Sequence, residues 1–259
     1  MLSMTFGTKT VTTERQAFVM GIVNATPDSF YETSRGDFDL AMKLIEEGAD
    51  IIDIGGESTR PGFTPVGEQE ELDRVIPLLE KLRKNSGVVI SIDTTKPGVI
   101  KEALENGADI INNVLSFEND DSTFNNIIDS QASVILMHHT AGGIKDICSY
   151  LKERAELCIQ KGIAASKIIT DPGIGFGKTF EQNVEAIQYT DRLCELGFPV
   201  LMALSRKSSI GLMTDRPVQE RLTGTVTADI ISVQKGAKII RVHDVKDAID
   251  SLNVMKYFQ

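Results

Sequence analysis

The chain has 259 residues, 41% hydrophobic and 25% charged, with a formal net charge of −10. That length and apolar content suffice for a large core, and the acidic balance argues against nonspecific binding to nucleic acid or an anionic membrane. The three cysteines, Cys148, Cys158 and Cys194, lack CxxC spacing, no apolar run approaches membrane-spanning length, and the N-terminus carries no signal-peptide pattern; reduced thiols and a cytoplasmic location are expected.

Short apolar runs alternate with longer amphipathic stretches. The first predicted strand, 18–23 (FVMGIV), runs into Asn24. This uncharged amide could ligate a hard cation or bind a phosphate oxygen, and it reads equally well as a turn residue in N-x-T-P-D. A helix is predicted near 38–48, after a polar loop at 31–37. The second strand, 50–54 (DIIDI), ends in GGESTRPG, which offers Asp53, Glu57 and Arg60 as candidates on a Gly/Pro-rich segment that could also be a plain linker. The helix at 67–84 sets Leu72, Val75, Ile76, Leu79 and Leu82 on one stripe. The third strand, 88–92 (VVISI), places Asp93 at its end, where it could serve a ligand or cap the helix at 97–106. The fourth, 109–114 (DIINNV), carries Asn112 and Asn113, with a helix at 121–130. His138 and His139 follow the fifth strand, 133–137 (SVILM). As neighbours on a strand they point to opposite faces, so they are read as non-metal residues, one of which could line a pocket. After the helix at 145–161, the sixth strand, 167–170 (KIIT), leads to Asp171, with Lys178 one loop away. A helix at 180–196 precedes the seventh strand, 199–204 (PVLMAL), which runs into Arg206, Lys207 and Ser208. A helix at 218–235 leads to the eighth strand, 238–242 (KIIRV), with Arg241 and His243 at its end, and a last helix covers 244–256.

Eight short strands, nearly continuously apolar, suit a parallel sheet buried on both faces. The phrases EEGADIIDIGG (46–56), ENGADIINNV (105–114) and QKGAKIIRVHD (234–244) repeat one junction: a helix end, a glycine and a strand. A doubly wound sheet is the rival, but no GxGxxG follows the first strand, so the predicted fold is α/β, a single (β/α)8 TIM barrel spanning 1–259 as one domain. In such a barrel polar residues at strand C-terminal ends face the active site. Asp93, Asn112 and Asp171 would form a ring of acceptors and donors suited to a flat heterocycle rich in N–H groups. The cationic residues Arg206, Lys207, Arg241 and His243 fall where barrels commonly bind phosphate.

The stretches MGIVNATPDSF (20–30), GADIIDIGGESTRPG (48–62), ISIDTTKP (91–97), GADIINNV (107–114), DPGIGFGKT (171–179), ALSRKSSIG (203–211) and GAKIIRVHDV (236–245) occur in one order across nearly the whole chain. Together they resemble the dihydropteroate synthase family. The resemblance implies a transferase of folate biosynthesis that joins a pterin pyrophosphate to p-aminobenzoate, with Mg²⁺ as cofactor, small molecules as substrates, and a cytoplasmic homodimer targeted by sulfonamides. It implies that Asn24 contacts Mg²⁺ and the pyrophosphate. Asp93, Asn112, Asp171 and Lys207 would hold the pterin, with Met137 and Phe176 lining its pocket. Arg241 and His243 would bind the pyrophosphate with Asn24, while Thr59, Arg60, Lys207 and Ser208 would border the p-aminobenzoate site. Lys207, Arg241, His243 and Asp93 are the implied catalytic groups. The chain departs from the family at YETSRGD (31–37), Ala203, Asn113 and HHTAGG (138–143). The alternative is a divergent pterin-binding paralogue with weak or no synthase activity. A pterin-binding methyltransferase barrel would share the pterin residues but have no use for the SRKS and RVHDV cations.

Overall fold

The structure is a computed structural model that describes residues 1–25, 33–57, 65–118 and 122–258, with backbone only at 33–36. An antiparallel hairpin comes first, β1 (Leu2–Phe6) and β2 (Lys9–Thr13), turning at Gly7 with φ +57°. Eight parallel strands follow: β3 (Phe18–Asn24), β4 (Ile51–Gly55), β5 (Val89–Asp93), β6 (Ile110–Asn113), β7 (Ser133–Met137), β8 (Ile168–Asp171), β9 (Leu201–Met202) and β10 (Ile239–Val242). Their order is β8-β7-β6-β5-β4-β3-β10-β9, and a parallel bridge between Thr170 and Val200 joins β8 to β9, closing the predicted barrel.

Alternation along the strands separates two apolar cores. Val19, Val23, Ile52, Ile54, Ile90, Ile92, Val134 and Leu136 face outward against helical residues such as Val75, Leu79, Leu82 and Leu151. The helices are α1 (Thr33–Glu46), α2 (Glu68–Asn85), α3 (Pro97–Glu105), α4 (Thr123–Ser130), α5 (Ile144–Gln160), α6 (Phe180–Gln188), α7 (Thr190–Cys194), α8 (Ser208–Thr214), α9 (Leu222–Gln234) and α10 (Val245–Met255). Inward, Phe18, Met20, Ile51, Val89, Ile110, Ile135, Ile169, Leu201 and Ile239 fill the N-terminal part of the barrel. Phe6 plugs this end, edge-on to Phe18 with ring centroids 5.5 Å apart, and Leu2, Met4 and Val11 pack beside it. Two residues further along, five of the strands turn polar on the inner face, with Asp53, Ser91, Asn112, Asp171 and Arg241. The packed floor therefore leaves the charged inward groups at the C-terminal mouth.

Sequence and structure differ at four places. Absent from the sequence reading, the hairpin is a half-buried alternating pair rather than an apolar run. The helix expected from 38 begins at Thr33, so 33–37 are helical. The segment 180–196 is two helices broken at Tyr189, whose φ of −111° and ψ of 35° leave the helical region. The seventh strand shrinks to Leu201–Met202, and a short helix that periodicity did not show, α8, follows it.

Asp229 lies on the buried face of α9, 2% exposed, and neither carboxylate oxygen finds a hydrogen-bond partner among the described residues. Burial pushes its carboxyl far above the ordinary 3.8. The folded value exceeds the unfolded one, so this group's contribution to stability is full below 3.8 and is lost as pH rises through the raised native value. Asp229→Asn stays neutral throughout. Thermal unfolding should show the variant gaining on wild type from mildly acidic to mildly alkaline buffer. A gap constant with pH would mean that Asp229 is ionised and paired.

Candidate active site

Arg241, on the inner face of β10, sits at the centre of the mouth. Its Nε donates to Asp53 Oδ2 at 2.6 Å and its Nη2 to Asp93 Oδ2 at 3.0 Å, reaching across β3 to β4 and β5. Asp53 is fully buried and also accepts from Asn112 Nδ2 at 3.3 Å. Asp93, Asn112 and Arg241 are thus one hydrogen-bonded group, assembled because β5 and β6 pair Asp93 with Asn112 in register. Asp93 does not cap α3: Lys96 holds the N-cap position there, with Pro97 at the first turn. Asn113 points away and its Oδ1 accepts from the Leu115 and Phe117 amides, so only one of the two asparagines reaches the interior.

Asp171 ends β8 beside Met137, its register partner on β7, and Met137 is 3% exposed. Asp171 Oδ1 accepts from Gly173 N at 2.7 Å, which aligns the carboxylate and leaves Oδ2 to the pocket. Lys207 comes in from the N-terminus of α8, donates to the Ile174 carbonyl, and stands 5.1 Å above the Phe176 ring centroid. Burial pushes its ammonium down to about 8, against the pull of Asp171, with Arg241 adding to the lowering. Burial likewise pushes both Asp93 and Asp171 up, against Arg241 for the first and Lys207 for the second. The site is a desolvated cluster of opposed charges, the usual signature of a functional pocket.

The structure revises the picture of a mouth full of free cations. Arg206, with φ +56°, turns outward and pairs with Asp244 through Nε at 2.9 Å and Nη2 at 2.7 Å. Arg241 is committed to two carboxylates. His243 Nδ1 lies 2.9 Å from Ser205 Oγ, which also accepts from the His243 backbone N–H. Ser205 was not foreseen as this partner. Asn24 is exposed at the end of β3, and Ser208 is exposed at the start of α8. Glu57 and the buried Glu71 share the Lys96 ammonium. His138 is buried beside the Tyr150 ring and stays neutral, pushed down to about 4 by burial and then by Lys178. Thr59 and Arg60, with the whole of the STRPG motif, lie outside the described residues, as do the side chains of 31–36.

A closed parallel barrel with carboxylates, an amide, a guanidinium and an ammonium around one mouth defines an enzyme that grips a flat polar heterocycle beside an anion. Residues 20–243 match the family model described as pterin binding enzyme. The dihydropteroate synthase of Clostridium beijerinckii is 42% identical over 253 residues, 93% of this chain and 94% of that protein, and that of Bacillus subtilis is 41% identical over 243, 90% and 85%. Dihydropteroate synthase of Xanthomonas albilineans, solved with 4-aminobenzoic acid, superposes with a TM-score of 0.92 at 40% identity, covering 99% of this chain and 98% of that one. Its complex with 7,8-dihydropteroate gives 0.90 at 37%, with the same coverage. The chain belongs to the dihydropteroate synthase family.

Removing one partner from a buried charge group costs about 3–5 kcal/mol, because the others are left uncompensated. Arg241→Met should therefore destabilise the fold by about that much, and adding Asp53→Leu should recover part of the loss. Urea unfolding of the two single variants and the double variant checks this. Additive losses would show that the three groups are not coupled.

Proposed function

We infer that the protein condenses 6-hydroxymethyl-7,8-dihydropterin pyrophosphate with p-aminobenzoate to give 7,8-dihydropteroate and pyrophosphate. The observation that carries the reading is the convergence of Asp93, Asn112, Asp171 and Lys207 on one buried mouth. The sequence offered two other readings: a divergent pterin-binding paralogue with weak or no synthase activity, and a pterin-binding methyltransferase barrel, against which the SRKS and RVHDV cations already argue. Neither accounts as well for identity near 40% to synthases over nine-tenths of the chain.

Asp171 Oδ2 would accept from the N–H edge of the pterin, and Asn112 from a second edge group. Met137 and Phe176 would line the ring faces, and Lys207 Nζ would donate to a ring acceptor. In the reaction the bond from the pterin methylene carbon to oxygen breaks and its electron pair leaves with pyrophosphate. The arylamine nitrogen then bonds to that carbon and gives up a proton to solvent. The ring delocalises the positive charge at the methylene, so no protein nucleophile is required. Arg241, His243 and Asn24 stand at the ends of adjacent strands, where they would meet the pyrophosphate. Arg241 would do so through the part of its fork that the carboxylates do not take. Lys207 and Ser208, with Thr59 and Arg60, would border the arylamine.

The donor set fits Mg²⁺, which takes few protein ligands and shares substrate phosphate oxygens: Asn24 offers an exposed amide oxygen, and no group of three His, Cys, Asp or Glu competes among the described residues. When bound there it would supply positive charge to the leaving pyrophosphate. Binding of p-aminobenzoate after the pterin follows if Lys207 serves both ligands. Sulfonamide sensitivity is supported by the likeness, TM-score 0.91 at 35% identity, to the Yersinia pestis synthase solved with a sulfonamide drug. A homodimer is the assembly that the family resemblance implies. No described helix is long and apolar enough to cross a membrane, and a cytoplasmic location remains the reading of the reduced thiols.

Incubation with pterin pyrophosphate, p-aminobenzoate and Mg²⁺ should yield dihydropteroate and pyrophosphate, and chelation should abolish both. Asp171→Asn puts an N–H against the pterin N–H edge. Pterin affinity should fall about tenfold or more, since a mismatched buried polar group costs about 1–3 kcal/mol. Wild-type affinity in this variant would leave Asp171 as a support for the Gly173 turn alone. No product from the wild-type protein under these conditions would reject the synthase reading.

A further inference from the structure

The loop between β8 and α6, residues 172–179, carries Phe176 and the Ile174 carbonyl that takes Lys207. Three of its eight residues are glycine, and its backbone docks closely on the backbone after β7. Gly173 has φ +67°, and a Cβ there would collide with the His138 carbonyl oxygen. Gly177 has φ +62°, and a Cβ would lie 2.9 Å from the Thr140 carbonyl carbon. Two backbones pressed together in this way bring carbonyl oxygens close to one another, an arrangement that needs positive charge.

Lys178 supplies it. Its Nζ donates to His138 O at 2.8 Å, Gly173 O at 3.0 Å, and Thr140 O and Phe176 O at 3.3 Å each. An ammonium has three N–H donors, so four carbonyls around it form a cage that solvates a cation rather than a set of one-to-one bonds. Two carbonyls come from each loop, so the charge lies in the seam between them. Burial pushes the Lys178 amine down to about 8, and Asp171 works to keep it charged.

We propose that Lys178 is a positioning residue for pterin binding: its ammonium fills a four-carbonyl cation site between the β7 and β8 loops and so fixes Phe176 and the Lys207-bound Ile174 carbonyl. The cage itself is a site for a small monovalent cation of the ammonium class, occupied here by a side chain of the protein. The proposal rests on the pterin-binding reading above. It predicts that truncating the tether leaves a cage that an external alkylammonium ion can enter.

The test uses wild type, Lys178→Met and Lys178→Ala. Fluorescence titration gives the affinity for 6-hydroxymethylpterin, and steady-state assays give kcat and both KM values. Each is run in ammonium or methylammonium chloride and in sodium or tetramethylammonium chloride at equal ionic strength. Both variants should bind the pterin about tenfold more weakly, the loss expected for hydrogen bonds to a charged group. KM for pterin pyrophosphate should rise in step, while KM for p-aminobenzoate at saturating pterin pyrophosphate should hold. Methylammonium should restore Lys178→Ala, and tetramethylammonium, which has no N–H, should not. Lys178→Met, whose side chain fills the tether's path, should stay impaired in every salt. Wild-type pterin affinity in both variants, with only a lower melting temperature, would overturn the positioning role. Equal loss of Lys178→Ala in all four salts would overturn the cation site. If wild type binds no pterin, the functional reading fails instead. The cage is then judged by whether methylammonium alone raises the melting temperature of Lys178→Ala.

Discussion

The guanidinium of Arg241 between Asp53 and Asp93 is the interaction on which the mouth of the barrel depends. It joins β10 to β4 and β5 over the inward face of β3, with Asn112 drawn in from β6 through Asp53. Four strands are tied at one level by polar bonds. Below that level the barrel is filled by apolar side chains, and Phe6 closes it against solvent. The floor and the polar layer require each other. Without a dry floor the charges would be hydrated and weakly oriented. Without a guanidinium, two buried carboxylates would face one another at a cost of several kcal/mol.

Much of this was legible because a parallel barrel imposes a simple rule on sequence. Each strand reads as a short apolar run, and the polar residues at its C-terminal end are the site candidates. Asp93, Asn112, Asp171 and Arg241 are found that way, with no knowledge of their partners. The rule also explains what was missed. The hairpin 2–13 obeys a different rule, alternation with one face wet, and contributes a single buried aromatic, Phe6. β9 has two residues because the backbone after Met202 turns early into α8, and apolar content alone carries no mark of that.

The partners were not legible, because they lie far apart in the chain. Asp53 and Arg241 are 188 residues apart, and Ser205 and His243 are 38 apart. Charge type showed that cations collect after the seventh and eighth strands. It did not show that Arg206 turns outward to Asp244, a matter of one residue at positive φ. Nor did it show that Lys178, a loop away from the mouth, faces backbone carbonyls rather than a carboxylate.

That last difference separates the roles of arginine and lysine here. Arg241 is planar and always charged, and it can satisfy two fixed carboxylates with one rigid fork, so it suits the permanent layer. The two lysines are solvated by backbone carbonyls, Lys178 by four and Lys207 by that of Ile174. A carbonyl lowers the cost of burying an ammonium without neutralising it. Asp171, which neither lysine hydrogen-bonds, therefore keeps an oxygen for a ligand. Burial pushes both ammonium groups down to about 8, and Asp171 pulls against that shift in both, so the carboxylate that faces the pocket also holds the two charges beside it.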